Sequence, residues 1–261
     1  MSGCVKNIYA IFKREMLAFF VSPIAYIVIT GFIFLCAYFF YNFLGYYDLV
    51  LQQYAAMPYQ MNKQLPSMNE FVVARYYYTL MVILVFMIPM LTMRLIAEEK
   101  RTGTFELLAI SPLSVTEIVL GKFFGVSFVV IVMLLLAFLF PCLLYIYGQI
   151  EFMPMLTGLI GMILYALGFV AIGMAISSFT SNQMVAAISS MVVLLLLYMI
   201  NSPAESVGGS IGELLKYLSP SEQVVDMLLG VVQLKTVIYF VSVILFGIFL
   251  SQRALEAQRW R

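Results

Sequence analysis

Reactive chemistry has few places to sit in these 261 residues. The chain contains no histidine, which removes the commonest general base and metal ligand at neutral pH. Cys4, Cys36 and Cys142 are odd in number and lack C-x-x-C spacing, so they suggest neither a disulfide framework nor a zinc site. They read as small apolar filler. Asp48 and Asp226 lie outside the apolar stretches, and no nucleophile–base pair can be assembled around them. A G-x-x-x-x-G-K-[ST] phosphate loop is also missing, so ATP cannot be bound and hydrolysed by that route. An intramembrane enzyme is disfavoured, and neither catalytic nor metal-binding residues are assigned.

What remains is the chemistry of recognition, concentrated in residues 94–117. Glu98, Glu99, Lys100 and Arg101 precede Gly103, which breaks a preceding helix. Thr104 caps a new one, and Glu106 in its first turn favours the positive dipole end. Pro112 stops that helix after fewer than two turns. Ser114 and Glu117 then form a capping box for the next helix. Phe105, Leu108 and Ala109 share one face by i, i+3, i+4 spacing. The expected product is a short helix between two long ones, an apolar knob rimmed by charge, as a docking surface requires.

The elements that hold this knob are membrane helices. The chain is 64% hydrophobic and 10% charged, with a mean hydropathy of +1.03, against roughly 25% charged residues in an ordinary soluble domain. Too few polar side chains remain to coat a water-facing surface. About 20 apolar residues cross a hydrocarbon core, and six stretches qualify: 24–44, 73–95, 118–147, 155–178, 184–200 and 236–251. The third exceeds a simple span, which predicts tilt or emergence near Pro141. The first is too long for a signal-peptide core and is read as retained.

Orientation follows from the cations. With the N-terminus inside, Lys6, Lys13, Arg14, Arg94, Lys100, Arg101, Lys122, Arg253, Arg259 and Arg261 are cytoplasmic, against Lys63, Arg75, Lys216 and Lys235 outside. Both termini are therefore expected inside. No charged residue stands near the middle of a span, whereas proton- and ion-coupled carriers often place one there; an external energy source follows. A net charge of +1 argues against nucleic acid, which calls for a basic stripe.

Outside the spans, residues 1–22 read as an amphipathic helix in the interfacial plane. Ile8, Ile11, Phe12, Met16, Phe19 and Phe20 recur at helical spacing, and Lys13, Arg14 and Glu15 interrupt them. Ser22-Pro23 breaks the axis before the first span. Residues 45–72 form an outward, tyrosine-rich connection, either a solvated loop or a binding loop. Residues 201–235 face outward too, with two short amphipathic helices that either dip back toward the bilayer or cap its surface. Ser219-Pro220-Ser-Glu222 starts the second of them. The small residues Gly158, Gly161, Gly168, Ala171, Gly173 and Ala175, and the pair Gly121 and Gly125, allow close helix approach within the chain or between subunits.

Taken together, Glu98-Glu99-Lys100-x-x-Gly103-Thr104-x-Glu106-Leu107-Leu108-x-x-Ser111-Pro112-Leu113-Ser114 and Ile118-Val-Leu-Gly121-Lys122 resemble the signature of ABC-2 type transporter permeases. The N-terminal helix, Ser177-Ser-Phe-Thr-Ser-Asn-Gln183 and the closing Ala254-Leu-Glu-Ala-Gln-Arg-Trp260 agree with it. Within that family the chain most resembles the gliding-motility-associated (GldF-like) branch.

The resemblance implies an all-α fold of six transmembrane helices, of the type V exporter kind, as one domain over 1–261. Residues 96–117 would be its coupling loop and 45–72 and 201–235 its outward segments. Glu98, Glu99, Gly103, Thr104, Phe105, Glu106, Leu108, Ser111 and Pro112 would meet a separate ABC ATP-binding subunit. Phe12, Lys13, Arg14 and Glu15 would belong to a cytoplasmic interface helix. No cofactor would bind directly; ATP and Mg would act through the partner. The further partners implied are a second permease subunit, identical or related, a large-domain auxiliary (GldG-like) membrane protein, and lipid. The setting implied is the bacterial inner membrane and the function export. The alternative is a non-transporting membrane anchor of an ATP-powered gliding or assembly machine.

Overall fold

The computed structural model describes residues 2–56, 67–103, 113–147, 150–202 and 209–259, and every regular element among them is helical. Helix α1 runs over Ser2–Val21 and α2 over Pro23–Ala56. A π-helical turn, Asn69–Ala74, leads into α3, Arg75–Thr92, and α4 follows at Ala97–Arg101. Then come α5, Val115–Tyr147, α6, Phe152–Phe179, and α7, Gln183–Met199. Two short helices, α8 at Gly209–Leu218 and α9 at Pro220–Leu228, precede α10, Leu234–Arg259.

Among the described residues, five stretches are long and apolar enough to cross a membrane: 25–56, 69–101, 115–147, 152–179 and 234–258. The sixth expected span, 184–200, coincides with α7, which is apolar but only 17 residues long. At 1.5 Å per residue it extends about 26 Å, a little short of a 30 Å core.

Two neighbours organise the bundle. Helix α6 lies at the centre and packs most extensively along α10; α1 packs along the first turns of α5. The glycine stripe of α6 is used inside the chain. A Cβ at Gly158 would strike Tyr77, one at Gly161 would press on Met227 and Val224, and one at Gly173 would stand 2.5 Å from Thr92 Oγ1. Between the alternatives left open by sequence, these positions serve intrachain packing. The same contacts give directions. Tyr77 to Thr92 on α3 and Phe240 to Gly247 on α10 meet α6 in ascending order, so the three helices run parallel. Helix α5 runs against α3, with Tyr76 donating its phenol hydrogen to the Ala137 carbonyl at 2.9 Å.

Several boundaries moved from expectation. Helix α2 continues twelve residues beyond Leu44 to Ala56, where an outward loop from residue 45 was expected. Nothing breaks the helix before Pro58, and the Tyr46 ring stacks on Phe71 at 5.4 Å and 14°. The Arg75 guanidinium covers the other partner of that stack, 4.1 Å from the Phe71 ring centre. Pro141 does not end α5. Helix α9 inserts beside α6, with Val224 and Met227 fully buried, whereas α8 exposes Ile211, Leu214 and Tyr217. Of these two short helices, α9 thus enters the bundle and α8 leaves apolar side chains uncovered.

Candidate functional site: a ring of charges beside a spliced helix

The N-terminal helix has a partner that its amphipathic pattern does not specify. Ile11 and Phe19 bury 94% and more of their surface, and α1 follows α5 in parallel register. Asn7 donates to Glu117 Oε1 at 3.3 Å, Ile11 covers Gly121, and Glu15 covers Gly125. The Phe12 ring meets Phe128 edge-on at 6.0 Å. Close approach requires the glycines: a Cβ on Gly121 would lie 2.7 Å from Ile11 Cβ. Ser22 separates α1 from α2, and its hydroxyl accepts from Arg94 Nη1 at 3.3 Å. The Arg94 guanidinium also lies over the Phe19 ring, 5.4 Å from its centre.

Glycine spacing also lets a lysine reach inward. Lys122 is 2% exposed, and its ammonium contacts Glu15 Oε1 at 3.0 Å and Glu99 Oε1 at 2.8 Å. The same two oxygens are held by Arg14 Nη2 at 3.0 Å and 2.8 Å. The four side chains form a closed, alternating ring that ties α1, α4 and α5 together. Burial pushes the Glu15 carboxyl up, but Lys122 and then Arg14 outweigh it and hold its pKa below the usual carboxylate value. Beside the ring lies a cavity of about 480 Å³ lined by Phe19, Ser22, Arg94, Glu98 and Thr102 as well as the ring itself. Lys13 points to solvent.

Helix α4 is tied to α6 on its other side. The Ala97 amide donates to Ser177 Oγ at 3.2 Å, and that hydroxyl donates to the Met93 carbonyl at 3.3 Å. Lys100 Nζ donates to the Ser178 carbonyl at the end of α6. Gly103 then takes a left-handed φ of +73°, as its role as a helix breaker demands. The chain re-enters at Ser114, whose amide donates to Glu117 Oε2 at 3.0 Å and whose hydroxyl accepts from the Glu117 amide at 3.2 Å. The expected capping box is therefore present. Of the proposed coupling residues, Glu98, Glu99 and Gly103 are placed on this junction. Thr104, Phe105, Glu106, Leu108, Ser111 and Pro112 lie outside the described residues.

Two features of the junction were not foreseen. Lys122 counted in sequence as a cytoplasmic cation and as the last residue of the family signature, and the signal of its burial was the pair Gly121 and Gly125 on either side of it. The turn at residues 93–96 between α3 and α4 has no glycine to mark it; Pro89 upstream is the one local sign. Among the described residues no cluster of His, Cys, Asp or Glu suited to a metal ion occurs.

Helices alone among the described residues, five of them long and apolar enough to span a bilayer, define a class, multi-pass membrane proteins. Residues 48–251 match the model of the ABC-2 family transporter protein, and the chain belongs to that family. It is thus a membrane permease component, a class of domain distinct from the ATPases that power it. Membership implies in general an ABC ATP-binding partner. No curated protein matches this chain.

Proposed function

We propose that the chain is the membrane-spanning subunit of an ATP-driven exporter, energised by a separate ATP-binding subunit that docks on residues 98–112. The observation that carries this reading is the tethering of α4. One short helix, entering the proposed docking loop, is joined to α1 and α5 through the charge ring and to α6 through Ser177 and Ser178. A push on that loop is delivered to three helices at once instead of being absorbed by slack chain. ATP and Mg reach the complex through the partner, and a second permease chain, identical or related, completes the path.

This reading takes six crossings with both termini in the cytoplasm, and the contacts of α7 support counting it as the sixth. Its first end follows the α6 terminus that carries Ser178. At its other end, the Tyr198 carbonyl accepts from Ser221 Oγ at 3.1 Å and Asn201 Nδ2 donates to Glu222 Oε2 at 2.9 Å. Those partners belong to α9, which packs near the opposite end of α6. On this reading the 17 residues of α7 cross the bundle, with slight thinning of the bilayer accommodating their length. The cation bias then favours the cytoplasmic face for both termini, in a bacterial inner membrane. The gliding-type branch and its auxiliary protein rest on the sequence resemblance alone.

Phe105→Asp tests the docking assignment. Expression should be intact, while partner-stimulated ATP hydrolysis and recovery of the complex are abolished. Normal assembly and turnover in that variant refute it.

A further inference from the structure

An α-helix that continued from α3 into α4 would join the Ala97 amide directly to the Met93 carbonyl, the i to i−4 bond. These two groups instead bind the same foreign atom. Ser177 Oγ accepts from the Ala97 amide at 3.2 Å and donates to the Met93 carbonyl at 3.3 Å. A hydroxyl from α6 has been spliced into the backbone ladder of another helix, one of the few recognised causes of a sharp kink. Ser177, Ile96 and Ala97 are at most 1% exposed, while Met93 is half-buried.

The surroundings weaken the helix on the same turn and press α6 against it. Pro89 has no amide to offer the Val85 carbonyl. The Thr92 hydroxyl bonds back to the Ile88 carbonyl at 3.0 Å, a habit that bends helices. One turn before Ser177 on α6, Gly173 lets Thr92 approach so closely that a Cβ would lie 2.5 Å from its Oγ1. The next residue, Ser178, gives its carbonyl to Lys100.

We propose that Ser177 is a positioning residue that works as a removable wedge, holding α3 and α4 in a kinked joint whose straight alternative is stored in the same two backbone groups. With the hydroxyl in place the ladder is interrupted and α4 lies against the end of α6. With the hydroxyl withdrawn, the Ala97 amide falls back on the Met93 carbonyl, and α3 and α4 become one helix. The Ala97 amide and the Met93 carbonyl are paired in either state, with Ser177 in one and with each other in the other, so the joint has two discrete arrangements. That a moving α4 would report to an ATP-binding subunit rests on the function proposed above; the two-state joint does not.

The test uses the full chain without any partner, in lipid nanodiscs, so its failure is separate from failure of the docking assignment. Spin labels at residues 82 and 101, on the exposed sides of α3 and α4, are introduced into a background lacking Cys4, Cys36 and Cys142. A straight helix over those 19 steps spans about 28 Å, and the kinked parent must be shorter. Ser177→Ala should shift the distance distribution up toward that value and leave Ala97 amide exchange slow. Ser177→Thr, which keeps the hydroxyl, should reproduce the parent distribution. Ser177→Cys, a weak hydrogen-bonding group of similar volume, should give a mixture and carries the test should the alanine variant not fold. An alanine variant with the parent's distances overturns the wedge, as does a threonine variant displaced as far as alanine, or a cysteine variant indistinguishable from the parent.

Discussion

Lys122→Met isolates the worth of the charge ring. Methionine has a similar length and an apolar stem, so the buried volume is kept while the cation is lost. The two carboxylates then keep Arg14 between them. Their side chains are 12% and 17% exposed, while Arg14 is 51% exposed. Removing one partner of a buried pair costs about 3–5 kcal/mol. The open position of Arg14 and the residual water around both carboxylates favour the low end, about 3 kcal/mol. For a chain of this size that corresponds to a fall of roughly 6–12 °C in thermal midpoint, read from the folded fraction surviving heating in detergent. The coupling is tested by adding Glu15→Gln. Because the neutral amide no longer repels Glu99, the double variant should recover about 1–3 kcal/mol relative to the sum of the single losses. A Lys122→Met protein within about 0.5 kcal/mol of its parent, or strict additivity at that precision, would show the ring to be ornamental.

Two further outcomes are expected. The Glu15 carboxyl has a folded pKa below its unfolded value, so its contribution is present above the ordinary carboxylate range, about 4.3, and is lost as pH falls through the lowered folded value. Acid titration of thermal stability should therefore show a limb below about pH 4 that Glu15→Gln flattens; an unchanged limb contradicts the ring's hold on this carboxyl. Gly247→Ala places a Cβ 2.7 Å from the Ala171 carbonyl carbon, a backbone atom that cannot step aside. It should separate α6 from α10 and destabilise the chain by about 1–3 kcal/mol, whereas Gly45→Ala, which meets nothing within 4 Å, should leave the thermal midpoint in place.

What the sequence discloses depends on how far apart the cooperating residues lie. Ser114 with Glu117, Ser219 with Glu222 and the Ser22-Pro23 break act within four residues, and each appears where local chemistry puts it. Long apolar runs announce themselves through composition. The far end of α2 was hidden because the polar residues 45–56 read as a loop, while what keeps them helical is Phe71 and Arg75, brought back from across the following connection. The ring draws Arg14 and Glu15, Glu99 and Lys122 from three helices, so no window along the chain contains it. Ser177 is further concealed, since a serine near a helix end most simply reads as a cap. Only the placement of Met93 and Ala97 on either side of its hydroxyl gives it a different task.

The ring has an electrical consequence as well as a mechanical one. An energised bacterial membrane exerts a force on net charge, about 2.3 kcal/mol for each elementary charge carried across 100 mV. Arg14 and Lys122 are matched one for one by Glu15 and Glu99, so the cluster presents no monopole to that field. Wherever the joined helices shift along the membrane normal, these four groups add no work against the voltage, provided that they travel together. Any coupling of such a shift to the membrane potential has to come from charges outside the ring, such as Lys6 and Lys13 on α1.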